Sequence, residues 1–286
     1  MRRGFGRHVG EERSAGWRAR RGHDRGRDRR AVRRRVLVVV CSALLFAAAC
    51  GDATSDHGFT TDARVALRTY TALVEQHLSS VLTALAAVAA TDAAQSGRWS
   101  RIRPALAQVA DRTETAAAVW FVRADGSYFT VEKGLEDANL SDRSYFPRLV
   151  AGHDVEGDLV VSKSTGQMSA IVAAPIRSAS GIVGGLGASV DLAKVSVMVS
   201  RTMALPANMV FYAMDSTGRT ALHVLSQNLF AYPSRKGSPT LASAVRKMLR
   251  STQGSLTYTY EGAERTVVYM RSTDTGWVFV LGEIHS

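Results

Sequence analysis

Cysteine is almost missing from this chain of 286 residues: only Cys41 and Cys50 occur. Two thiols in one apolar run cannot build a disulfide framework or a zinc site. Surplus charge is missing too, once the first 35 residues are set aside. The chain carries +11 overall, but residues 1–35 hold 14 basic and 4 acidic residues, which leaves 22 against 21 in the remainder. A body without excess positive charge has no stripe to neutralise phosphates, so no nucleic-acid partner is expected. Catalytic signatures are also lacking: there is no G-x-S-x-G elbow, no H-E-x-x-H pair and no P-loop. His57, His77, His153, His223 and His285 stand apart from one another and from paired carboxylates. No metal, no cofactor and no catalytic residue is therefore expected. Gly-Gly-Leu-Gly at 184–187 reads as strand interior, and Glu132, Glu136 and Asp137 read as a solvated loop.

What is present starts with the leader. After Arg33-Arg34-Arg35 comes an apolar run, "VLVVVCSALLFAAAC", from Val36 to Cys50. It is short of the roughly 20 residues of a bilayer span and suits a secretory core of about 7–15. The small residues Ala47-Ala48-Ala49 before Cys50 resemble a bacterial lipoprotein signal, in which the cysteine is lipidated and becomes the mature N-terminus. The other reading of the run is an uncleaved signal anchor. Either way the chain is expected to be exported and to stay on a membrane surface, through a lipid anchor in the first case.

The next segment, 51–60, is a polar tether. Tyr70, Leu73, Val74, Leu78, Val81, Leu82, Leu85, Val88 and Ala89 then recur at spacings of three and four. They predict an amphipathic helix of roughly 30 residues, about 45 Å long. A helix of that length braces several units or pairs with a copy of itself, so a homodimer is one expectation. A shorter helix carries Trp99, Ile102, Leu106 and Val109. From Ala116 the pattern turns to strands and hairpins, with turns at Asp125-Gly126 and Ser164-Thr165-Gly166. "LAKVSVMVSRTMAL" reads as a connecting helix, and a second pass of strands and one helix begins at "NMVFYAMDSTGRTALHV". The fold class is α+β: a long N-terminal helix, then two modules of similar plan, each an antiparallel sheet flanked by helices.

Arg143, Tyr145, Phe146 and Arg148 crowd into "SDRSYFPRLVAG" (141–152), followed by "VVSKSTGQMSAIVAAPI" and "GGLGASVDL". In that order these segments resemble the Cache superfamily of PAS-like extracytoplasmic sensor domains. "FYAMDSTGRTALH", "SPTLASAVRKM" and "TGWVFVLGEI" resemble the second, membrane-proximal module of double-Cache domains. Behind the basic leader (1–35), the signal core with lipobox (36–50) and the tether (51–60), the resemblance covers roughly residues 61–286, beginning with N-terminal helices (61–115). A membrane-distal module (116–204) and a membrane-proximal module (205–286) follow. It implies that Arg143 reaches a ligand carboxylate, that Tyr145 lines the same pocket, and that Asp191 meets a ligand amine. A guanidinium forks onto a carboxylate with two parallel bonds, and an aromatic wall strengthens them by excluding water. Amino-acid-binding members have a tyrosine five residues before the arginine, where this chain has Ala138, and a Trp-Tyr pair where it has Tyr145-Phe146. Ser162 and Lys163 are candidates to close the pocket, with Arg123 and Tyr128 as further candidates. The alternative makes Tyr145 and Phe146 plain core and pairs Arg143 with Asp142 or Glu136.

The expected function is a membrane-tethered extracytoplasmic sensor of a small organic anion or amino acid, signalling through a separate partner because no output domain is recognised. The alternative is an interaction lipoprotein whose modules bind a protein and keep no pocket. The anchor can be tested directly. Wild-type protein is expected to incorporate radiolabelled palmitate and Cys50→Ser is not; equal labelling, or an intact leader on mature protein, overturns the lipid anchor.

Overall fold

A computed structural model describes residues 62–285. The basic leader, the apolar run, Cys50 and the tether lie outside the described residues. Helix α1 (Ala63–Ala89) opens the fold, with the Asp62 carboxylate accepting from the Arg64 amide as its cap. Its buried stripe, Leu67, Tyr70, Val74, Leu78, Val81, Leu85 and Ala89, follows the predicted spacing. Helices α2 (Asp92–Gln95) and α3 (Trp99–Arg112) lead into the first sheet, with Ile102, Leu106 and Val109 buried on α3.

That sheet comprises β1 (Ala116–Arg123), β2 (Ser127–Thr130), β3 (Gly134–Asn139), β4 (Val155–Val161), β5 (Met168–Ser178) and β6 (Gly181–Asp191). The short helix α4 (Phe146–Val150) sits between β3 and β4. After α5 (Leu192–Met203) come β7 (Met209–Met214), β8 (Thr220–His223), α6 (Pro239–Arg250), β9 (Gln253–Tyr260), β10 (Ala263–Arg271) and β11 (Val278–His285). The strand orders are β3-β2-β1-β6-β5-β4 and β8-β7-β11-β10-β9, antiparallel throughout. Without the edge strand β3 the two orders are the same, so the two modules share one topology.

Strand β3 occupies the stretch read as a solvated loop. Its residues alternate between half-buried and exposed, with Leu135 facing solvent. An edge strand pairs on one side only, and the adjacent acidic residues Glu136 and Asp137, one half-buried and one exposed, hide its periodicity.

One apolar cluster joins α1 to a face of each sheet. It includes Val119, Phe121, Val172 and Ala188 of the first and Phe211, Phe279 and Leu281 of the second. Tyr70 packs edge-on against Phe211 at 5.2 Å and Phe279 at 5.0 Å. The stripe that suggested a helical partner is thus covered by sheets of the same chain; the outward side of α1 carries Arg64, Arg68, Gln76, Ser80 and Thr83.

The modules also meet along β4. Gly157 interrupts the β4–β5 register with φ +89°, and a side chain there would press on Thr275. The bulge turns the Gly157 carbonyl toward Trp277, whose Nε1 donates to it at 3.0 Å. Arg219 Nη2 likewise donates to the Leu159 carbonyl at 2.8 Å. Glu156 stands beside this seam with Oε1 buried and unpartnered among the described residues. Burial first, then Asp274, Glu75 and Asp154, push its carboxyl up from 4.5 to about 7. A raised carboxyl favours the protonated folded form, so this group's contribution to stability falls as pH rises from about 4.5 through about 7. The melting temperature is expected to drop between pH 5 and pH 8, and Glu156→Gln to flatten that drop; an unchanged profile in the variant overturns the assignment.

Candidate functional site

The opposite face of the first sheet, away from α1, holds a small enclosed pocket. Strand alternation sends Val119 and Phe121 toward α1 and Trp120 to the other side. Ile171 of β5 and Ser189 of β6 face the same way, with Tyr128 of β2 and Val160 of β4 completing the walls. Gly187 makes room: a Cβ there would fall inside the Trp120 ring, as one at Gly185 would press on Leu149. The roof is the segment from Leu140 to Tyr145, which runs into α4 with Pro147 at its first turn. Tyr145 is buried and stacks on Trp120 at 6.3 Å.

Two cations lock the roof to the β4–β5 hairpin. Arg143 Nη2 donates to the Val161 carbonyl at 2.7 Å. Lys163 Nζ donates to the Asn139 carbonyl at 2.6 Å and to both Asp142 oxygens at 2.7 Å. That bond with Lys163, more than any other influence, holds the Asp142 carboxyl below its usual range. Locked this way, the pocket encloses about 10 Å³, the room of about one water.

The polar groups inside are not all satisfied. Tyr128 is buried, and its hydroxyl has no partner among the described residues. Burial and the Glu136 charge raise its phenol, and burial raises that of Tyr145, so both remain neutral donors. Arg143 uses only Nη2 within the described residues; a guanidinium carries five N–H donors, so most of the fork is free. A buried donor without an acceptor costs about 1–3 kcal/mol. An anionic oxygen placed between Tyr128 and Arg143 removes that cost.

The pocket brings together Tyr128, Arg143, Tyr145, Ser162 and Lys163. Three other sequence candidates stand outside its walls. Phe146 is buried core at the start of α4. Arg123, at the exposed end of β1, lies over the Phe129 ring at 4.7 Å, on the α1 side of the sheet. Asp191 lies in the pocket-side row of β6, two residues beyond Ser189, but its Oδ1 caps α5 by accepting from the Ala193 and Lys194 amides. Arg148, also in the 141–152 stretch, is exposed at the surface and pairs with Asp158. Trp120, Leu140, Val160, Ser164, Ile171 and Ser189 also line the pocket and escaped sequence reading. Alternation alone separates Trp120 from Phe121; the pairing of β1 with β6 decides which side is the pocket.

A wider groove of about 890 Å³ lies between α1 and α5, past His77, Thr115, Lys194 and Arg201. It is open to solvent, and its short polar contacts, such as His77 to Thr115 at 2.7 Å, are already made. Enclosure and unmet donors favour the smaller pocket as the ligand site.

Residues 57–283 match the model of the Cache domain. The chain belongs to the Cache family. No curated protein sequence matches it. Solved structures do. The ligand-binding domain of the Campylobacter jejuni chemoreceptor Tlp3, in complex with 4-methylisoleucine, is 14% identical with a TM-score of 0.60, covering 78% of this chain and 89% of that one. The ligand-binding domain of the Pseudomonas aeruginosa amino acid chemoreceptor PctB, in complex with L-Arg, is 14% identical with a TM-score of 0.62, covering 77% and 93%. An extracellular ligand binding receptor from Desulfohalobium retbaense is 14% identical with a TM-score of 0.63 over 77% of this chain, which spans only 40% of that receptor. At such identities the likeness is one of fold. The double-Cache architecture, one helix along two PAS-like modules, is common ground.

The glycine row of this Cache pocket yields a prediction. Gly187→Ala is expected to displace Trp120, to cost about 1–3 kcal/mol by overpacking, and to alter near-ultraviolet circular dichroism. An unchanged spectrum and melting temperature would mean that Trp120 does not lie on the β6 backbone.

Proposed function

We propose that this chain is an extracytoplasmic sensor that binds a small carboxylate-bearing ligand, an amino acid or a related organic anion, in the pocket of its first module. The observation that carries the reading is the buried, unpartnered Tyr128 hydroxyl beside an Arg143 guanidinium with free donors, inside an aromatic enclosure. Arg143 clamps the carboxylate, Tyr128 and Ser162 supply hydroxyl contacts, and Trp120 and Tyr145 exclude water. For an amino acid, Asp191, outside the walls of the closed pocket but in the same row of β6 and with no hydrogen bond to Oδ2 among the described residues, takes the ammonium once the pocket opens. Support comes from the Cache neighbours, two of which were solved with amino acids or a close analogue bound. The tyrosine that amino-acid binders place at the position of Ala138 is missing, so the carboxylate is the firmer requirement and the amine the weaker one.

With room for about one water, the pocket must open to admit any such ligand. The segment 139–145 lifts from the β4–β5 hairpin, exchanging the Lys163–Asp142 pair for contacts to ligand. Cys50, or the apolar run around it, holds the protein at the membrane, and a separate signalling partner reads the change through α1 or the second module.

A panel of L-amino acids and small carboxylates is screened by thermal shift. Ligand at about 100 times its dissociation constant adds about 2.7 kcal/mol, worth about 5–11 °C in a domain of this size. Arg143→Ala is expected to weaken binding about tenfold to a hundredfold, and Arg143→Lys to restore part of it, since lysine keeps the charge but not the fork. A full-sized ligand shift in Arg143→Ala would make that arginine scaffold and place the site elsewhere.

A further inference from the structure

We infer that the second module has an anion site of its own, a cavity between its sheet and α6 that accepts a small carboxylate. The shared strand order leaves the same face of the second sheet free of α1, and that face carries Tyr212 of β7, Tyr258 and Tyr260 of β9 and Arg265 of β10. With Thr220 and His223 of β8 and Lys236 from the loop before α6, they enclose about 40 Å³. That volume is several times the pocket of the first module and holds about three to four water-sized atoms, the size of an acetate ion.

Its electrostatics select the ligand. Arg265 and Lys236 are the charged groups in the lining, and both are cationic. The side chain of Arg265 is 14% exposed; the nearest carboxylate, Glu261, is 70% exposed and 3.8 Å from Nη2, so it screens from the rim rather than neutralising from within. Lys236 Nζ is held by the neutral Asn228 Oδ1 at 2.6 Å. Two buried polar atoms in the lining lack partners among the described residues: Arg265 Nε and Thr220 Oγ1, the latter on a side chain only 1% exposed. Buried guanidinium and hydroxyl groups without acceptors are costly, and a carboxylate supplies acceptors to both while offsetting the charge. The aromatic walls keep the exchange out of water: Tyr212 stacks on His223 at 6.1 Å, and its hydroxyl lies 3.4 Å from that of Tyr258. His223 responds to the same field. Burial first, then Lys236 and Arg265, lower it to about 4, so the ring is neutral and an entering anion raises its value.

The test uses the full-length chain purified in detergent, titrated with sodium acetate, propionate or pyruvate against sodium chloride at matched ionic strength. Calorimetry gives affinity, and the His223 ring resonances followed against pH report occupancy of this cavity. At least one of the three carboxylates is expected to bind, to raise the His223 titration midpoint, and to do both equally in Arg143→Ala. Arg265→Gln and Thr220→Val are each expected to weaken that binding at least tenfold. The inference is overturned if none of the three binds beyond the chloride control, if Arg143→Ala abolishes the binding, or if either second-module variant keeps wild-type affinity. Should Arg265→Gln fail to fold, Thr220→Val, which changes shape least, decides alone.

Discussion

The burial of one helical stripe against two sheets is the constraint on which the rest depends. From Leu67 to Ala89, α1 presents an apolar ridge that runs past both modules, and a single core cluster includes that ridge and a face of each sheet. Tyr70 between Phe211 and Phe279 marks the hold on the second module. A large aromatic buried among aromatics adds edge-to-face attraction to the area removed from water. Its hydroxyl is unpartnered among the described residues, a cost that this packing outweighs.

Covering one face of each sheet with the same helix decides which faces stay free of it. Each sheet keeps its opposite face for a local cluster, roofed by α4 in the first module and by α6 in the second. Those local layers contain the buried, unpartnered polar atoms of Tyr128, Thr220 and Arg265. The bulge at Gly157, with its carbonyl held by Trp277, connects the strand under the first pocket to the second sheet. The β4–β5 hairpin is thus in direct contact with the neighbouring module.

Local electrostatics keep the first pocket shut. Lys163 and Arg143 both reach across to carbonyls, and Lys163 also reaches a carboxylate, each bond joining the roof to the hairpin. Exposed pairs of this kind are individually weak, about 0–1 kcal/mol.

By itself the sequence determined the periodic elements and their kind. The three-and-four spacing from Tyr70 to Ala89 marked the long helix, the Gly-containing turns marked the hairpins, and Arg143 with Tyr145 before a proline drew attention to the segment that roofs the small pocket. Local information sufficed there, because helical and strand periods and turn preferences act over a few residues. What only the tertiary structure decided was which residues face one another. Edge strand β3 was invisible because its burial depends on β2 alone, and Trp120 and Ser189 became pocket walls through the pairing of β1 with β6, distant in the chain. The same pairing of distant strands left Phe146 in the core and Arg123 on the far side of the sheet. It also brought Thr220 and Arg265, more than forty positions apart, into one cavity. Such proximity follows from sheet order and helix placement, which no short window of residues encodes.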